Sequence, residues 1–570
     1  MSSAFERSDS LRRLGDTIFD VVVVGGGITG AGVALDAASR GLRTALVERD
    51  DFASGTSSKS SKLVHGGLRY LQQGEVALVY EALAERQRLR KNAPHLVKVL
   101  PFLLPMFSKD GLIPKKLARA LGSALWTYDL TGGARIGKLH KRISAEQALA
   151  HMPTLPRDRL AASYLYYDAQ ADDARLTLTV ARTAAIDFGA AVANGCEVVS
   201  VLKDSAGRAN GVRVRADGRE FEVQARAVVN ASGVWADDVR ALDEGTHPQS
   251  IRPAKGIHIA VPWTKIRNDI AVVVPVPKDR RSMFIVRWGD LAYIGTTDTD
   301  YDGPLDDPQC TPDDIAYVLD ALRFSCTSGI SADDITGTWA GLRPLVRDAS
   351  SERTADLSRR HKVQVSASGV ITITGGKLTT YRKMAAETVD AVLEQLGPNL
   401  PIGVSRRSRT KRIPLRGAAG YHEVLDQAPT LSRQLPGHVV SHLANRYGGE
   451  ARTLIAMAER EPSLAEPLVP GLPYLRAEAL YAVRYEMART LDDVLSRRVR
   501  ARLLARDDSA RAAPDVAALI AADLGWDADE QASQVEHYRA SIDAERSAAN
   551  LPVTSLEAAL EAAALRTGSD

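Results

Sequence analysis

A glycine-rich stretch between two apolar runs constrains the fold of this chain more than any other feature. The four valines Val21–Val24 are typical of a parallel strand that is buried on both faces. Gly25, Gly27 and Gly30 follow at once with the spacing G-x-G-x-x-G, and the stretch ITGAGVALDAASRG then predicts a helix. A second strand, RTALVER, completes a β-α-β unit. Such a unit indicates an α/β nucleotide-binding domain of the Rossmann type.

The spacing of the glycines favours a dinucleotide over a purely structural turn. Because glycine has no side chain, the turn can be tight and a pyrophosphate can approach backbone N–H groups at the positive end of the helix. Glu48 ends the second strand, eighteen residues after Gly30, close to the spacing at which an acidic residue accepts from ribose hydroxyls. Strand, glycines, helix, strand and acid therefore occur in the order that a dinucleotide site requires.

The glycine turn alone leaves NAD and FAD both open. After Glu48 the chain enters a polar loop of small residues, DDFASGTSSKSSKLVHGG, which suits a long, flat, partly buried cofactor. Later, NASGVWAD predicts a strand, a tight turn at Ala231, Ser232 and Gly233, and a helix that would return to the same domain. An ordinary strand-turn-helix would show the same pattern.

Length and composition limit the class of protein. The 570 residues exceed what one core accommodates, so we expect two or three domains. The 45% apolar and 25% charged residues are ordinary for a globular protein, and Cys196, Cys310 and Cys326 lie too far apart for a zinc ribbon. A net charge of +3 is too small to predict a nucleic-acid binder. We find neither a signal peptide nor a run of about 20 apolar residues, and a reducing cytosol fits best.

Ten motifs are spread along the chain from about residue 18 to 505: VVVVGGGITGAGVALDAASRGL, SSKSSKLVHGGLRYL, EALAERQRLRKNAPHL, NASGVWAD, KGIHI, IGTTDTDYDG, GLRPLV, SRRH, TGGKLTTYRKMA and RYEMARTLDDVLSRR. With these motifs the chain resembles the FAD-dependent glycerol-3-phosphate dehydrogenases, within the D-amino-acid-oxidase-like flavoproteins. The resemblance implies oxidation of sn-glycerol 3-phosphate to dihydroxyacetone phosphate, with FAD passing electrons to a membrane quinone. No mitochondrial-type calcium-binding extension is present, and the linker GPNLPIGVSRRSRTKRIPL departs from the family pattern.

The predicted fold is α/β, with three domains. Residues 1–17 form an N-terminal tail, and residues 18–100, 175–255 and 340–400 form an FAD-binding Rossmann-like (D-amino-acid-oxidase-like) domain. Residues 101–174 and 256–339 form a substrate domain with an antiparallel sheet. A linker, 401–413, leads to a helical domain at 414–570.

The predicted reaction requires a base, because a proton leaves the alcohol as a hydride goes to the flavin. His65 and His258 are the candidates, since imidazole suits proton removal near neutral pH. We favour His65, because His258 in KGIHIAV sits on an alternating strand where a core histidine is the plain alternative. Either could instead position the flavin.

The substrate phosphate requires cations, and arginine offers two parallel hydrogen bonds. The candidates are Arg69 with the neighbouring Tyr70, Arg343 and Arg359. Arg69 could instead be a solvated residue at a helix start, and Arg360 could replace Arg359 or both could be surface residues. Arg343 lies among apolar residues, a poor place for an unpaired charge.

A second glycine turn precedes a long predicted helix in VITITGGKLTTYRKMAAETVDAVLEQL. The helix start and Lys377 would stabilise negative charge at the N1 and C2 carbonyl side of a reduced flavin. A phosphate-binding P-loop is excluded, because Leu378 follows Lys377 where serine or threonine is required. The residues predicted to contact FAD are Gly25, Gly27, Ile28, Thr29, Gly30, Glu48, Arg49, Thr56, Ser57, Ser60, Ser61, Lys62, Leu63, His65, Gly66, Gly67, Ala231, Ser232, Gly233, Gly376, Lys377, Leu378 and Thr379.

One segment imitates a calcium loop. DTDYDGPLDDPQ matches the pattern at Asp298, Asp300, Asp302 and Gly303, but its twelfth residue, Gln309, cannot supply the bidentate carboxylate. We therefore predict no metal site.

Two segments carry clustered basic residues. VLPFLLPMFSKDGLIPKKLARALGSALW, residues 99–126, could dock on a membrane surface, or it could be an internal strand followed by an ordinary amphipathic helix. The run Arg497, Arg498, Arg500 and Arg502 could be a solvated face or a dimer contact.

The leading hypothesis is a quinone-linked dehydrogenase, a homodimer held at the inner face of the cell membrane in the cytoplasm. An oxidase that reduces O₂ to H₂O₂ could use the same site. A non-catalytic flavin-binding scaffold is a different class, and the set His65, Arg69, Arg343 and Lys377 counts against it, because a scaffold needs no clustered phosphate-binding cations.

Overall fold

The structure is a computed structural model that describes residues 5–67, 75–108, 115–277, 281–347 and 360–567. It describes the backbone alone for residues 115–120, 133–134 and 562–567.

Six short strands form the sheet that contains the first glycine turn. In spatial order they are Lys362–Val365, Ile371–Thr374, Val228–Asn230, Val21–Val24, Thr44–Val47 and Ala191–Ala193. The first pair is antiparallel and the other pairs are parallel. One face is covered by the helices Ile28–Ser39, Asp173–Phe188 and Tyr381–Leu396.

The valine run at the centre of this sheet is buried on both faces, as predicted. Val21 and Val23 belong to the core that the three helices share, whereas Val22 and Val24 belong to a core on the opposite face. Alternate side chains of a strand point to opposite faces, so four consecutive apolar residues are needed here. The opposite face is covered by a three-stranded antiparallel sheet made of Glu197–Lys203, Ala209–Ala216 and Arg219–Gln224.

A second, larger sheet forms the substrate domain. In spatial order its strands are Thr299–Asp300, Ile251–Pro262, Leu291–Gly295, Ser282–Trp288, Ala271–Pro275, Lys98–Phe107, Leu160–Gln170 and Leu63–Val64, with Gly337–Val346 beside Ile251–Pro262 and Lys141–Ile143 beside Leu160–Gln170. Its pairs are antiparallel except for Ala271–Pro275 with Lys98–Phe107. Its accompanying helices are Val76–Asn92, Lys115–Leu130, Ala145–His151 and Pro312–Ser325, whereas the helix Ala236–Glu244 packs against the nucleotide-binding sheet and the three-stranded sheet.

Three predicted domain boundaries fall inside strands of this sheet. Lys98–Phe107 crosses residue 100, Ile251–Pro262 crosses residue 255, and Gly337–Val346 crosses residue 340. Of the two alternatives for the segment VLPFLLPMF, the structure shows the internal strand, at residues 99–107. The helix Lys115–Leu130 follows it. The N-terminal tail contains a helix, Arg7–Asp16. This helix is packed onto the domain, since its Leu14 is buried in the core beneath the three-stranded sheet.

The remaining helices pack around one further core and form the predicted helical domain. They are Tyr421–Asp426, Gly437–Tyr447, Ala451–Arg460, Arg476–Glu486, the π-helical Asp493–Arg498, Ala501–Leu504, Arg506–Leu524, Ala528–Ala548 and Leu556–Thr567. Within the described residues, no helix has the length and apolar character needed to cross a membrane. An α/β nucleotide-binding domain, a second sheet and a helical domain are thus all confirmed.

The arginines of the basic run near residue 500 form ion pairs inside the chain. The predictions of a solvated face or a dimer contact were therefore wrong. Arg498 and Arg500 are each 1% exposed. Arg498 binds both carboxylate oxygens of Asp51, at 2.7 and 2.9 Å, and Arg497 binds Asp51 at 2.7 Å. These arginines join the helical domain to the nucleotide-binding domain. We call this interface of buried ion pairs the seam.

Candidate active site

The first glycine turn leaves no room for side chains. A Cβ on Gly30 would lie 1.8 Å from the carbonyl oxygen of Gly25, and a Cβ on Gly25 would lie 2.8 Å from that of Ala231. Gly25 also has φ +106°, a conformation that favours glycine. The helix Ile28–Ser39 begins directly after Gly27, so its unpaired N–H groups face the turn. This arrangement can hold a pyrophosphate at the helix end.

Glu48 lies beside this turn at the end of the second strand. Its carboxylate accepts from the N–H of Gly26 at 2.6 Å and from that of Asp50 at 2.9 Å. Burial raises the pKa of Glu48 to about 7, because the charged form is poorly solvated. A ribose hydroxyl that donated to this carboxylate would supply the solvation that burial removes.

The polar loop after Glu48 is tied to both sheets. The Thr56 hydroxyl donates to the carbonyl of Leu342 at 2.6 Å, and the Ser57 hydroxyl accepts from the N–H of Ile28 at 2.9 Å. Ser60 donates through its N–H and its hydroxyl to Asp173, at 3.0 and 2.7 Å. The loop is therefore a fixed wall between the nucleotide-binding domain and the substrate sheet. Next to it, Arg49 pairs with Asp306 and lies 5.1 Å from the ring centroid of Trp235.

The second glycine turn meets the histidine stretch. Gly375 and Gly376 have φ +73° and +87°, and Lys377 precedes the short helix Leu378–Thr380. The hydroxyl of Thr379 accepts from the N–H of His65 at 3.2 Å and lies 3.3 Å from the carbonyl oxygen of His65. Segments more than 300 residues apart are thus brought together, as the sequence predicted.

A cavity of about 490 Å³ is lined by the first glycine turn, Glu48, the polar loop and the second glycine turn. Its lining includes Gly25, Gly27, Ile28, Thr29, Glu48, Arg49, Thr56, Ser57, Ala231, Ser232, Gly233, Gly376, Lys377 and Leu378, all of which were predicted to contact the cofactor. Pro344 also lines it, so the cavity reaches the substrate sheet. The glycine turns, the helix start and the buried acid fit FAD.

A larger cavity of about 1020 Å³ lies along the seam, but it does not suit a dinucleotide. Among the described residues that line it, neither glycine turn is present. Its arginines are already bound to carboxylates, as Arg497 and Arg502 are to Asp492. We therefore place the cofactor in the smaller cavity.

His258 and Arg343 lie on the same face of the substrate sheet. His258 is opposite Gly295 on one neighbouring strand and Trp339 on the other, and Arg343 is opposite Ala254. Residues opposite each other, or two apart along a strand, share a face. Glycines make room for both side chains: a Cβ on Gly295 would lie 2.2 Å from Cδ2 of His258, and one on Gly256 would lie 2.4 Å from the Arg343 guanidinium.

The ring of His258 is held on two sides. Its Nε2 lies 2.9 Å from the hydroxyl of Ser61, and the ring stacks on Trp339 with centroids 4.8 Å apart and planes 10° apart. Burial, together with the charges of Lys62 and Arg343, lowers the pKa of His258 well below its ordinary value. The imidazole is therefore neutral at pH 7.

The guanidinium of Arg343 is held by polar groups and remains partly accessible. It donates to Asp298 at 3.1 Å, to the Thr296 hydroxyl at 3.1 Å and to the carbonyl of Thr297 at 3.0 Å. Its side chain is 23% exposed. Asp298, the first residue of the calcium-like segment, thus orients an arginine.

His65 lies near the same face. Its ring meets Phe284 edge to face, with centroids 6.2 Å apart, and Phe284 is opposite Gly295 on the sheet. His258, Gly295 and Phe284 are therefore aligned across three adjacent strands, and the ring of His65 contacts Phe284. Sequence reasoning missed Phe284, Trp339 and Thr296, although Trp339 shares its strand and its face with Arg343, at a separation of four residues.

Some predicted residues have other positions. Arg69, Tyr70 and Arg359 lie outside the described residues. Arg360 is exposed and pairs with Glu75 at 2.7 Å. Gly66 is buried, and its N–H is bonded to the Tyr128 hydroxyl at 3.1 Å, so packing as well as ligand approach explains this glycine. Leu63 and Gly67 are buried nearby.

A nucleotide-binding sheet with two glycine turns, under a second sheet that carries a neutral histidine and an arginine, defines a flavin-dependent oxidoreductase. Residues 20–382 match the family model described as FAD dependent oxidoreductase, and residues 408–531 match the C-terminal domain of alpha-glycerophosphate oxidase. The chain belongs to the FAD-dependent oxidoreductase family, and within it to the group whose members are named glycerol-3-phosphate dehydrogenases. Its cofactor is FAD.

Three relatives support this assignment. Glycerol-3-phosphate dehydrogenase 2 of Mycobacterium tuberculosis is 41% identical over 545 residues, which are 95% of this chain and 91% of the relative. The human mitochondrial glycerol-3-phosphate dehydrogenase is 39% identical, and the match covers 91% of this chain and 72% of the relative. The solved structure of a glycerol-3-phosphate dehydrogenase from Bacillus halodurans with FAD superimposes with a TM-score of 0.76 at 30% identity, covering 95% of this chain and 98% of that one.

Proposed function

We propose that this protein oxidises sn-glycerol 3-phosphate to dihydroxyacetone phosphate. The observation that carries the proposal is that a neutral histidine, His258, and an oriented arginine, Arg343, lie on one face of the substrate sheet. His258 contacts Ser61, which belongs to the loop whose Thr56 and Ser57 line the cofactor cavity. The names of the relatives support the same substrate. Bound FAD supplies the two-electron acceptor.

Arg343 holds the phosphate in this proposal. Thr296, Asp298 and the carbonyl of Thr297 fix the direction of the guanidinium, so little side-chain freedom is lost when the substrate binds. A phosphate monoester carries up to two negative charges, and charge-assisted bonds to arginine are strong in a poorly solvated site.

His258 takes the proton of the C2 hydroxyl in this proposal. When its Nε2–H donates to the Ser61 hydroxyl, the lone pair is on Nδ1. Nδ1 is buried and has no hydrogen-bond partner among the described residues, so it is the ring atom left to accept a proton. We prefer His258 over His65 as the base because its ring is fixed by contacts on two sides, with Ser61 and with Trp339.

Anaerobic addition of glycerol 3-phosphate to the FAD-loaded protein tests the proposal. We expect the visible flavin band to bleach, and an unchanged band would refute the function. His258→Asn should slow bleaching strongly while product binding persists. If His65→Asn slows it more than His258→Asn, His65 is the base.

The phosphate contact has its own test. Arg343→Ala should lower kcat/KM for glycerol 3-phosphate roughly thirtyfold to several thousandfold. This corresponds to a loss of about 2–5 kcal/mol of transition-state stabilisation. The loss should be much smaller for glycerol, which lacks the phosphate. Arg287 lies on the opposite face of the same sheet and is exposed, so Arg287→Ala is the matched control. Normal kinetics in Arg343→Ala with FAD retained would place the phosphate elsewhere.

We further propose that the electrons pass to a quinone, as the resemblance to the dehydrogenases implies. Comparing reduced quinone with peroxide, per substrate oxidised, tests this proposal. Near-stoichiometric peroxide while a quinone is available would instead establish an oxidase.

A quinone acceptor places the protein at the membrane surface, and we propose the inner face of the cell membrane. The support is a group of exposed apolar side chains near the helix Lys115–Leu130: Tyr80 at 52%, Trp126 at 53% and Leu130 at 81% exposed. Trp126→Ser with Leu130→Ser should weaken binding to anionic vesicles, and unchanged binding would remove this surface from the proposal. Replacing Lys115 and Lys116 with glutamate tests the basic residues of the same helix. We expect a homodimer, which sedimentation would show.

A further inference from the structure

A buried arginine of the helical domain reaches the loop that contacts His258. Arg500 is 1% exposed and lies just before the helix Ala501–Leu504. Its φ is +66°, in the left-handed region that residues other than glycine rarely adopt. Its guanidinium donates to Asp173 at 2.7 Å and to the carbonyl of Ser58 at 2.5 Å. A strained backbone and a buried charge at one residue indicate a contact that the surrounding structure holds in place.

Asp173 connects this arginine to the loop. One oxygen, Oδ1, accepts from Arg500 and also from Nζ of Lys62 at 2.9 Å. The other, Oδ2, accepts from the N–H and hydroxyl of Ser60, at 3.0 and 2.7 Å. Asp173 is completely buried and Lys62 is 2% exposed. Oδ1 also accepts from the N–H of Ala174 at 3.0 Å. Both oxygens of this carboxylate are therefore occupied, and they hold Ser60 and Lys62 against Arg500.

Ser61, between these two anchored residues, contacts the imidazole. Its hydroxyl lies 2.9 Å from Nε2 of His258, and its carbonyl accepts from the hydroxyl of Tyr293 at 3.0 Å. The carbonyl of Ser60 accepts from the indole N–H of Trp339, the ring on which His258 stacks. Residues 60–62 thus have Arg500 and Asp173 on one side and the surroundings of His258 on the other.

We propose that Arg500 is a positioning residue for His258, so that the helical domain completes the active site of the other two domains. Arg500 acts through Asp173 on Ser61, and Ser61 sets the direction of the imidazole. The proposal deepens the function given above and rests on His258 as the base. A displacement of about 1 Å at a reacting group can cost on the order of 100-fold in rate.

Matched variants separate positioning from stability. Arg182 also pairs across the seam, with Glu450 at 2.6 Å, and is 4% exposed. Its guanidinium contacts Glu450, Glu486 and Tyr481, which belong to the helical domain, and none of residues 58–62. Arg500→Gln and Arg182→Gln should both lower the melting temperature. Only Arg500→Gln should slow flavin reduction in a single anaerobic turnover, by about 10- to 100-fold, with KM for glycerol 3-phosphate changed less than about threefold. Arg500→Lys should recover part of the rate.

A double-variant cycle tests the route through Ser61. Ser61→Ala should slow reduction as Arg500→Lys does, and the double variant should be little slower than Ser61→Ala, because both act on one contact. Additive losses would overturn the proposal, as would equal rates in Arg500→Gln and Arg182→Gln. If Arg500→Gln does not fold, the lysine variant and this cycle carry the test.

A structural measurement separates this proposal from the proposed function. If the unaltered protein is not reduced by glycerol 3-phosphate, that function fails, while crystal structures of the FAD-loaded variants still decide on positioning. The Ser61 to His258 contact should be lost in Arg500→Gln and kept in Arg182→Gln. A contact kept in both would overturn the positioning role of Arg500.

Discussion

The flavin cavity is formed mainly by backbone, whereas the seam is formed by charged side chains. The cavity is shaped by backbone, because Gly25 and Gly30 bring chain segments so close that a methyl group would overlap a carbonyl oxygen. The seam is built from long charged side chains, such as Arg175 and Glu486, which form two bonds of 2.7 Å and are almost completely buried. One region depends on the absence of side chains and the other on their exact pairing.

This difference determines how each region should fail. An added side chain at a glycine turn meets backbone that cannot move away, so the local structure and its ligand are lost together. A removed side chain at the seam leaves a charge without its partner in a poorly solvated place, so stability is lost first. Four predictions follow this contrast, in order of decreasing effect.

The largest effect is expected from Gly30→Val. The new Cβ would begin 1.8 Å from the carbonyl oxygen of Gly25, and the turn could not keep its shape. We expect purified protein without bound FAD and no recovery when FAD is added, measured by the visible spectrum and by FAD released on denaturation. Gly15→Ala is the control, because Gly15 lies in the helix Arg7–Asp16 with its nearest neighbour at 3.9 Å. Normal FAD content in Gly30→Val would contradict the assigned cavity.

The second effect tests the seam. Arg175→Met should lower the free energy of unfolding by about 3–5 kcal/mol, because Glu486 would remain charged and buried without its main partner. Arg175→Met with Glu486→Leu should recover most of the loss, since two apolar side chains need no solvation. Denaturant unfolding of the FAD-loaded protein measures both. A double variant as unstable as the single one would mean that the pair contributes more than charge compensation.

The same contrast explains what the sequence could predict. The glycine turn, Glu48 and the second turn at Gly375 and Gly376 are local patterns, and each has a chemical meaning that spacing alone reveals. Their meeting near His65 follows from the topology of the fold. The need of Arg343 for polar partners was also readable, since it lies among apolar residues where an unpaired charge is poorly solvated.

The seam could not be read in this way. Arg497, Arg498, Arg500 and Arg502 have the composition of a solvated surface, and their carboxylates are up to 447 residues away in sequence. No periodicity connects Arg498 to Asp51, so only the folded structure shows the pair. Likewise, the ring stacking of His258 on Trp339 depends on strand register, and a shift of one residue would turn one ring to the other face.

The third effect is a pH dependence of opposite sign in the two regions. Burial would raise the pKa of Glu450, but the charges of Arg182 and Arg416 lower it to about 2. Glu450 therefore adds stability that is complete above about pH 4.5 and is lost as the pH falls toward 2. In the FAD-free protein the pKa of Glu48 is raised to about 7, so the folded state binds this proton more tightly than the unfolded state does. The free energy of unfolding therefore falls as the pH rises from about 4.5 to 7. Each contribution is at most about 3 kcal/mol.

Unfolding of the FAD-free protein at a series of pH values measures both slopes. Glu48→Gln should remove the loss between about pH 4.5 and 7, and Glu450→Gln should reduce the loss below about pH 4.5. A Glu48→Gln variant with an unchanged slope would show that the carboxylate is better solvated than its two N–H bonds and burial indicate.

The smallest effect concerns one side chain inside the cavity, where backbone otherwise dominates. The Ser57 hydroxyl accepts from the N–H of Ile28 at 2.9 Å, at the helix start where a pyrophosphate would also accept. Ser57→Ala should therefore destabilise the FAD-free protein by about 1 kcal/mol, as loss of a helix-capping bond does. The FAD-loaded protein should lose less, because the bound phosphate can satisfy the same N–H. Ser57→Thr keeps the hydroxyl and is the control. Equal losses of stability with and without FAD would mean that the Ser57 hydroxyl keeps its bond to the N–H of Ile28 when FAD is bound. The pyrophosphate would then have to bind other N–H groups of this helix end.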